Sequence, residues 1–544
     1  MLPRLEHITP TQSRYLDFLK TLKASGFRGE MAPGYDTRTV LATDNSIYQV
    51  LPQAAVFPMD KEDVRALTRL ASEAEWRDIV LSPRGGGTGT NGQSLTDGIL
   101  VDLSRHMNRI LEINPTEGWA RVEAGVVKDQ LNVAACPHGL FFAPELSTSN
   151  RATIGGMINT DASGQGSIMY GKTRDHVIEL ETVLMDGTLL QTRPLTPEHE
   201  AKATEISSLA GGIYQTLADI WQRRRTDIEQ YFPKLNRCLT GYDLAHLRDE
   251  QGRINANSIL CGSEGTLGFI VEAKINLVSI PEYQALVVVQ YDSFDASLRD
   301  ARALMTSGPA SIETVDSKVL ELAKTDIVWQ EVAPFFPSST DIPTRGVNLV
   351  EFTGNDEKQV RRAVKALAEQ LEEPGRFPAC HYAVAFGEKA VNQVWKMRKR
   401  AVGLLAKTSG EARPVAFVED TAVPPEHLAD FIREFREVLD HEGLSYGMFG
   451  HVDAGVLHVR PALDLKDPNT ISTVRRITEK VVALVHNYHG LLWGEHGKGF
   501  RSEFAPGFFG DLYPELQAIK RAFDPYNQLN PGKIATPDAL IPLV

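Results

Sequence analysis

The chain has 544 residues, 42% of them hydrophobic and 23% charged, and a formal net charge of -13. Such a balance suits a globular protein of two or three domains and argues against a general nucleic-acid or anionic-membrane binder. No apolar run has signal-peptide or membrane-span character.

In chain order, residues 1–47 form a helical extension, with a helix from Thr11 to Ala24 running into a loop. From Tyr48 a strand, AAVFPM, leads to a helix that starts at Asp60 and spaces Val64, Leu67, Leu70 and Ala71 at helical intervals. A strand DIVLS follows, then PRGGGTGTNGQS (Pro83 to Ser94), then a further strand GILVDLS. The glycine loop leaves almost no side chain over ten residues, so it can wrap a ligand and aim several backbone N–H groups at one anion. It is not a Walker loop, because Gln93 and Ser94 follow Gly92, and it is not a Rossmann loop, because a strand arrives where a helix should open. Next, ILEINP and GWARVEAGV alternate as paired strands, and VVKDQLNVAACPHGL reads as a helix. The stretch from Ala201 to Tyr242 is polar and mostly helical, with Arg223, Arg224 and Arg225 on a solvated face. From Tyr283 the pattern restarts with ALVVVQY, SLRDARALM, VNLVEF and KQVRRAVKALAEQL, which puts a domain boundary near 280. The four cysteines, Cys136, Cys238, Cys261 and Cys380, are far apart and lack a C-x-x-C, which fits a reducing cytoplasm and excludes a closely ligated iron–sulfur cluster in this chain.

Two more low-side-chain segments accompany the loop: PELSTSNRATIGGMINTDASGQGSIMYGKTRDHV (Pro144 to Val177) and CGSEGTLGFI (Cys261 to Ile270). Three such segments in one region suit a large flat ligand with a diphosphate, whose close approach needs glycine in several places. As a set they resemble the FAD-binding domain of the vanillyl-alcohol oxidase and p-cresol methylhydroxylase superfamily over residues 48–280. The resemblance implies an α+β fold: a two-subdomain FAD-binding domain of p-cresol methylhydroxylase type, then an α+β substrate (cap) domain over 281–544 that returns to the flavin at its C-terminus. It also implies that the loop residues Arg84, Gly85, Gly86, Gly87, Thr88, Gly89, Thr90, Asn91, Gly92 and Gln93 hold the FAD pyrophosphate. Pro144, Thr153, Gly155, Gly156, Ser163, Gly164, Tyr170 and Gly265 then lie along the cofactor, and Asn530 in LNPGK comes near the flavin. Thr88 stands where some relatives carry a tethering histidine, so non-covalent FAD is expected.

In the second half, GMFGHVDAGVLHVRP carries His451 and His458, and LLWGEHGKG carries Glu495 and His496. Two histidines flanking a D-A-G turn can meet across a hairpin, and a carboxylate after a third apolar run can complete a His-His-Glu metal site with open positions. The segment resembles the G-H-x-G-D-G-N-L-H motif of FAD- and metal-dependent D-2-hydroxyacid dehydrogenases. That likeness implies a divalent metal, zinc- or manganese-like, on His451, His458 and Glu495, with His496 taking the hydroxyl proton and Arg398 binding the substrate carboxylate. Hydride then passes from C2 to the flavin, with D-2-hydroxyglutarate favoured over D-lactate or glycolate. Departures exist: D-A-G-V replaces G-D-G-N, Arg460 stands where many D-2-hydroxyglutarate dehydrogenases have asparagine and adds a carboxylate partner, and FVED (Phe417 to Asp420) replaces a lysine.

The variant pattern resembles the amino-terminal flavin half of bacterial FAD/iron–sulfur fusion dehydrogenases, and the chain stops just after LNPGKI, where a second half would begin. The expected partners are a small 2-hydroxyacid and an electron acceptor such as a quinone, an electron-transfer protein or an iron–sulfur partner, with no nucleic acid and with homodimerisation open. A cytoplasmic location follows, peripheral to the inner membrane if the acceptor lies there. Alternatives are a sugar or aldonolactone oxidase, which has no need of the His-His-Glu set, and an electron-relay or regulatory flavin subunit.

Overall fold

The computed structural model describes residues 9–337, 343–373, 379–405 and 410–544; the side chain of Cys380 lies outside the described residues. The amino-terminal sheet has the order β1 (Glu30–Ala32), β2 (Ala54–Phe57), β4 (Ile99–Asp102), β3 (Leu81–Arg84). β4 runs parallel to both β2 and β3, while β1 adds antiparallel to β2. The amino-terminal extension is therefore more than a helix and a loop. Its strand joins this sheet, and its helix Ser13–Ala24 buries Tyr15, Phe18, Leu19 and Leu22, with Phe18 edge-on to Trp76. β3 also starts later than the DIVLS run and extends through Arg84, so the glycine loop leaves directly from a strand end. The helix Lys61–Ser72 begins where expected, because the Asp60 carboxylate accepts the N–H groups of Glu62 and Asp63.

A second sheet, in the order β5 (Ile110–Asn114), β6 (Trp119–Glu123), β10 (Phe269–Asn276), β8 (Val177–Val183), β9 (Leu189–Thr192), is antiparallel throughout. β7 (Leu140–Phe141) and β11 (Val278–Ser279) make a small separate pair. Arg223 and Arg224 are not only a solvated face: Arg223 bridges to Glu515 at 3.1 Å, and Arg224 donates to the Asp511 carbonyl at 2.6 Å. They dock the helix Leu209–Tyr231 onto the C-terminal region.

The third sheet has eight strands: β15 (Ala379–Phe386), β12 (Tyr283–Tyr291), β14 (Gly346–Gly354), β13 (Ser311–Asp316), β18 (Tyr446–His451), β19 (Val456–Leu463) and β16 (Arg413–Pro414), with β17 (Thr421–Ala422) also on β19. The run ALVVVQY is apolar without alternation because both faces are covered: Ala285, Val287 and Val289 pack into one core, Leu286 and Val288 into another. The second core includes Met397 and Ala401 of the helix Gly387–Leu404 and Phe449 of β18, so this helix roofs the face that carries the functional groups. After this domain the chain returns to the first sheet. Gln528 donates to the carbonyls of Ala71, Trp76 and Ile79, while the Leu81 N–H donates to the Gln528 carbonyl and the Asn530 N–H to the Leu81 carbonyl. No helix among the described residues is long and apolar enough to cross a membrane.

Candidate functional site

One continuous cavity joins the glycine loop after β3 to the roofed face of the third sheet. At the loop end, residues 84–90 and Gln93 line it, with Thr153, Gly155, Gly156, Ser163, Gly164 and Gly265 opposite. Space is the reason for glycine here. A Cβ at Gly86 would lie 2.1 Å from the Arg151 carbonyl oxygen, and one at Gly265, where φ is +70°, would lie 2.3 Å from the Pro83 ring. Thr90 Oγ1 and Ser163 Oγ are buried without a hydrogen-bond partner among the described residues. Buried hydroxyls of this kind, beside a wall of backbone, suit a ligand rich in phosphate oxygens. The residues present therefore fit FAD.

Five residues expected along the cofactor stand elsewhere. Asn91 donates to the Gly497 carbonyl at 2.7 Å and its own carbonyl accepts from Phe500, while a Cβ at Gly92 would strike the Phe500 ring at 2.4 Å. These two tie the glycine loop to the segment that carries Glu495 and His496. Asn530 donates to the carbonyls of Gln93 and Glu264 at 2.7 and 2.8 Å, so it braces the loop from behind. Pro144 is buried off the wall, and Tyr170 is half-buried with its ring against Phe141.

At the other end, alternation along the strands builds the cluster. β18 pairs β13 on one side and β19 on the other, with Glu313 opposite His451 and Phe449 opposite His458. Residues two apart share a face, so Glu313, His451, Phe449, His458 and Arg460 all point under the roofing helix. Glu495 follows a third apolar run, and its Oε1 is the common focus: Nε2 of His458 lies 3.1 Å away, Nε2 of His451 3.4 Å and Nε2 of His496 3.5 Å. The imidazoles of His458 and His496 stack, with centroids 4.9 Å apart.

Four residues that sequence reading did not assign hold this arrangement. Glu313 accepts from His451 Nδ1 and fixes its Nε2 toward Glu495. Glu419 bonds His496 Nδ1 at 3.1 Å. Asp420 accepts the backbone N–H groups of Glu495 and His496 at 2.9 and 2.8 Å. Arg237, fully buried, donates to Glu495, Ser167 and the Gly164 carbonyl. The FVED segment is thus the source of two buried acids, a signal visible in sequence as charge set among apolar residues. Glu313 and Arg237 carry no such local signal. Asp453, in the D-A-G turn, is buried and accepts the Ile312 N–H.

Protonation follows from burial weighed against neighbours. Burial pushes His458 down to about 4, which leaves a neutral ring able to ligate. His451 is raised: burial and Arg237 push it down, and Glu313 and Glu495 outweigh them. Burial opposes ionisation of Glu495, but Arg237 and His451 hold it well below the ordinary carboxylate value. His496 rises to about 9, because Asp420 and Glu419 overcome burial. As a proton acceptor at neutral pH, His496 needs a positive charge beside it, which a dication among these groups would provide.

Two imidazoles and an ionised carboxylate suit a borderline divalent metal such as zinc. Asp420, His458, Glu495 and His496 also have donor atoms all within 4.8 Å of one another. Asp420 is spent on two backbone N–H groups, while His451 and His496, each held at Nδ1 by Glu313 and Glu419, both keep Nε2 toward Glu495. Arg398 and Arg460 line the cavity beside it.

Residues 52–193 match the FAD binding domain, and residues 280–534 match the C-terminal domain of FAD linked oxidases. D-2-hydroxyglutarate dehydrogenase of Pseudomonas putida is 60% identical over 537 residues, covering 99% of this chain and 53% of that protein. The protein of the same name from Escherichia coli is 52% identical over 548 residues, covering 99% and 54%. The chain thus spans about half the length of the curated relatives it matches. The structure of 4-ethylphenol oxidase from Gulosibacter chungangensis, 16% identical, superposes with a TM-score of 0.67 over 97% of this chain and 98% of that one, a likeness of fold.

Proposed function

The chain belongs to the FAD-linked oxidase family, carrying its FAD-binding and C-terminal domains, and from that premise we propose that it oxidises D-2-hydroxyglutarate to 2-oxoglutarate. The observation that carries this reading is the convergence of three imidazole nitrogens on Glu495 Oε1 at the end of the FAD cavity, with two guanidinium groups beside them. An aryl-alcohol or sugar oxidase has no use for that cluster. The relatives of highest identity given above bear the name of this activity.

When bound, FAD supplies a hydride acceptor and a divalent cation, Zn²⁺ or Mn²⁺ on His451, His458 and Glu495, a Lewis acid that lowers the alcohol pKa. The protein does the rest. Arg398 binds the carboxylate next to the reacting carbon, a charge-assisted contact worth about 1.5–3 kcal/mol. His496 Nε2 takes the hydroxyl proton, with Nδ1 fixed by Glu419. Glu313 and Asp420 hold the acceptor and ligands in place. Non-covalent FAD follows from Thr88 in the loop, which contains no histidine. Electrons then leave to an acceptor of quinone, electron-transfer-protein or iron–sulfur type, with the chain peripheral to the inner membrane where that acceptor resides.

The test is anaerobic mixing of the FAD-loaded, metal-supplemented protein with D-2-hydroxyglutarate, D-lactate and their L-enantiomers while flavin absorbance is followed. Fast bleaching by D-2-hydroxyglutarate, slower by D-lactate and absent with the L-acids is expected. Equal inertness to all of them would reject the reading.

A further inference from the structure

The three arginines around the cluster differ in how their donors are spent. Arg237 uses all three nitrogens: Nε on Ser167, Nη1 on Glu495 and Nη2 on the Gly164 carbonyl. It is fully buried, with each of its three nitrogens already bonded to the protein. Arg398 is held by Glu313 through Nη2 at 2.6 Å, and its buried Nε has no acceptor among the described residues. Arg460 is ion-paired with Glu419 through Nε, a contact without hydrogen-bond geometry, and neither of its Nη groups donates to an acceptor among the described residues. A guanidinium with two free Nη groups is a fork for one carboxylate.

Position separates the roles of the two open arginines. Arg398 lies over the Phe449 ring at 5.1 Å, and Phe449 is the partner of His458 across the hairpin. Arg460 sits two residues beyond His458 on β19, about 7 Å farther along the strand on the same face. Its side chain is 28% exposed against 12% for Arg398, so it stands nearer the mouth of the cavity. Gly447 pairs with it across the hairpin, and the Leu405 side chain packs over that glycine.

We propose that Arg460, held by Glu419, is the specificity-determining residue that binds the second, distal carboxylate of a dicarboxylate 2-hydroxyacid. Glu419 is its positioning residue. It pairs with Nε and so leaves both Nη groups for a ligand in the cavity that Arg460 lines, and its other oxygen bonds His496. One carboxylate thus orients both the distal clamp and the proton acceptor, just as Glu313 orients both Arg398 and His451. This inference rests on the proposed reading of the site as one for 2-hydroxyacids.

The experiment compares D-2-hydroxyglutarate with D-2-hydroxyvalerate, which has the same carbon chain and no second carboxylate. Flavin bleaching is read in the FAD-loaded, metal-supplemented parent, Arg460→Met and Arg398→Met. Binding of 2-oxoglutarate and 2-oxovalerate is read from the flavin absorbance change, which needs no turnover. Arg460→Met should weaken the dicarboxylates about ten- to a hundredfold more than the monocarboxylates, and Arg460→Lys should recover part of that difference. Arg398→Met should weaken both classes alike. An equal loss for both classes in Arg460→Met, or a selective loss in Arg398→Met instead, would overturn the assignment. A parent that neither bleaches nor binds any of these acids would reject the hydroxyacid reading itself. Binding of the oxoacids without bleaching would reject only the dehydrogenase chemistry and would still decide the role of Arg460. Melting temperatures close to the parent's distinguish a lost contact from a misfolded variant.

Discussion

The two ends of the cavity recognise their ligands by opposite means. The glycine end offers backbone and room: residues 85–87, Gly155, Gly156 and Gly265 leave no side chain in the way, and the buried hydroxyls of Thr90 and Ser163 are neutral. The cap end offers ionised side chains in contact with one another, Glu313, Glu419, Asp420 and Glu495 among three histidines and three arginines. The first end is damaged by adding atoms, the second by removing charge. The segment 495–500 joins them, since Asn91 bonds the Gly497 carbonyl and Gln93 the His496 carbonyl. A change in loop position is therefore felt directly by the proton acceptor.

Glu495 is the most sensitive point of the cap end, because three imidazoles converge on it. Glu495→Gln keeps the shape but removes the charge that three imidazoles and Arg237 share. Bleaching by D-2-hydroxyglutarate should fall by about 10³-fold or more, bound metal should be lost and bound FAD kept. Retention of metal and rate would remove Glu495 from the site. Next in size is the opposite operation at the opposite end. Gly86→Ala has no room beside Arg151, so the variant should purify with less than about a tenth of the parental flavin while the cap cluster still binds metal. Normal flavin content would show that the loop can yield. Glu313→Gln is subtler, because it removes only the group that orients His451 and Arg398. Metal affinity should fall by about 10–100-fold, measured by competition with a chelator; an unchanged affinity would make Glu313 a simple packing group.

The smallest effect lies away from both ends, and it calibrates the electrostatics. Asp300 is buried under the third sheet, accepts the Tyr291 hydroxyl at 2.6 Å and is pushed up to about 6 by burial. A carboxyl raised in the folded state contributes stability that is complete below its unfolded value of about 3.9 and is lost as pH rises through about 6. Asp300→Asn should therefore flatten the fall in melting temperature between pH 4 and pH 6. If parent and variant run parallel over that range, the burial of Asp300 is not felt.

Much of this was legible in the sequence, and for local reasons. A glycine loop announces itself by composition over a dozen residues, and His451, His458, Glu495 and His496 sit in short motifs whose spacing survives folding. What was not legible depends on topology. Glu313 meets His451 across 138 residues only because β13 and β18 are neighbours, and SIETVD alone reads as an ordinary half-buried strand. Arg237 reaches Glu495 across 258 residues from a loop. β1 was missed because three residues before a Pro-Gly pair carry no strand signal of their own. Asn91 and Gly92 were read as ligand-facing because a loop sequence does not show which of its residues turn toward a ligand and which toward the protein.

The proposed function requires the flavin and the His-His-Glu cluster to act on one substrate in one cavity. The most direct measurement is the rate of anaerobic flavin bleaching by D-2-hydroxyglutarate before chelation, after chelation, and after return of one equivalent of Zn²⁺ or Mn²⁺ per chain. Loss of bleaching on chelation and its recovery with metal, while FAD stays bound throughout, is the predicted result. Bleaching at full rate in protein stripped of metal would contradict it.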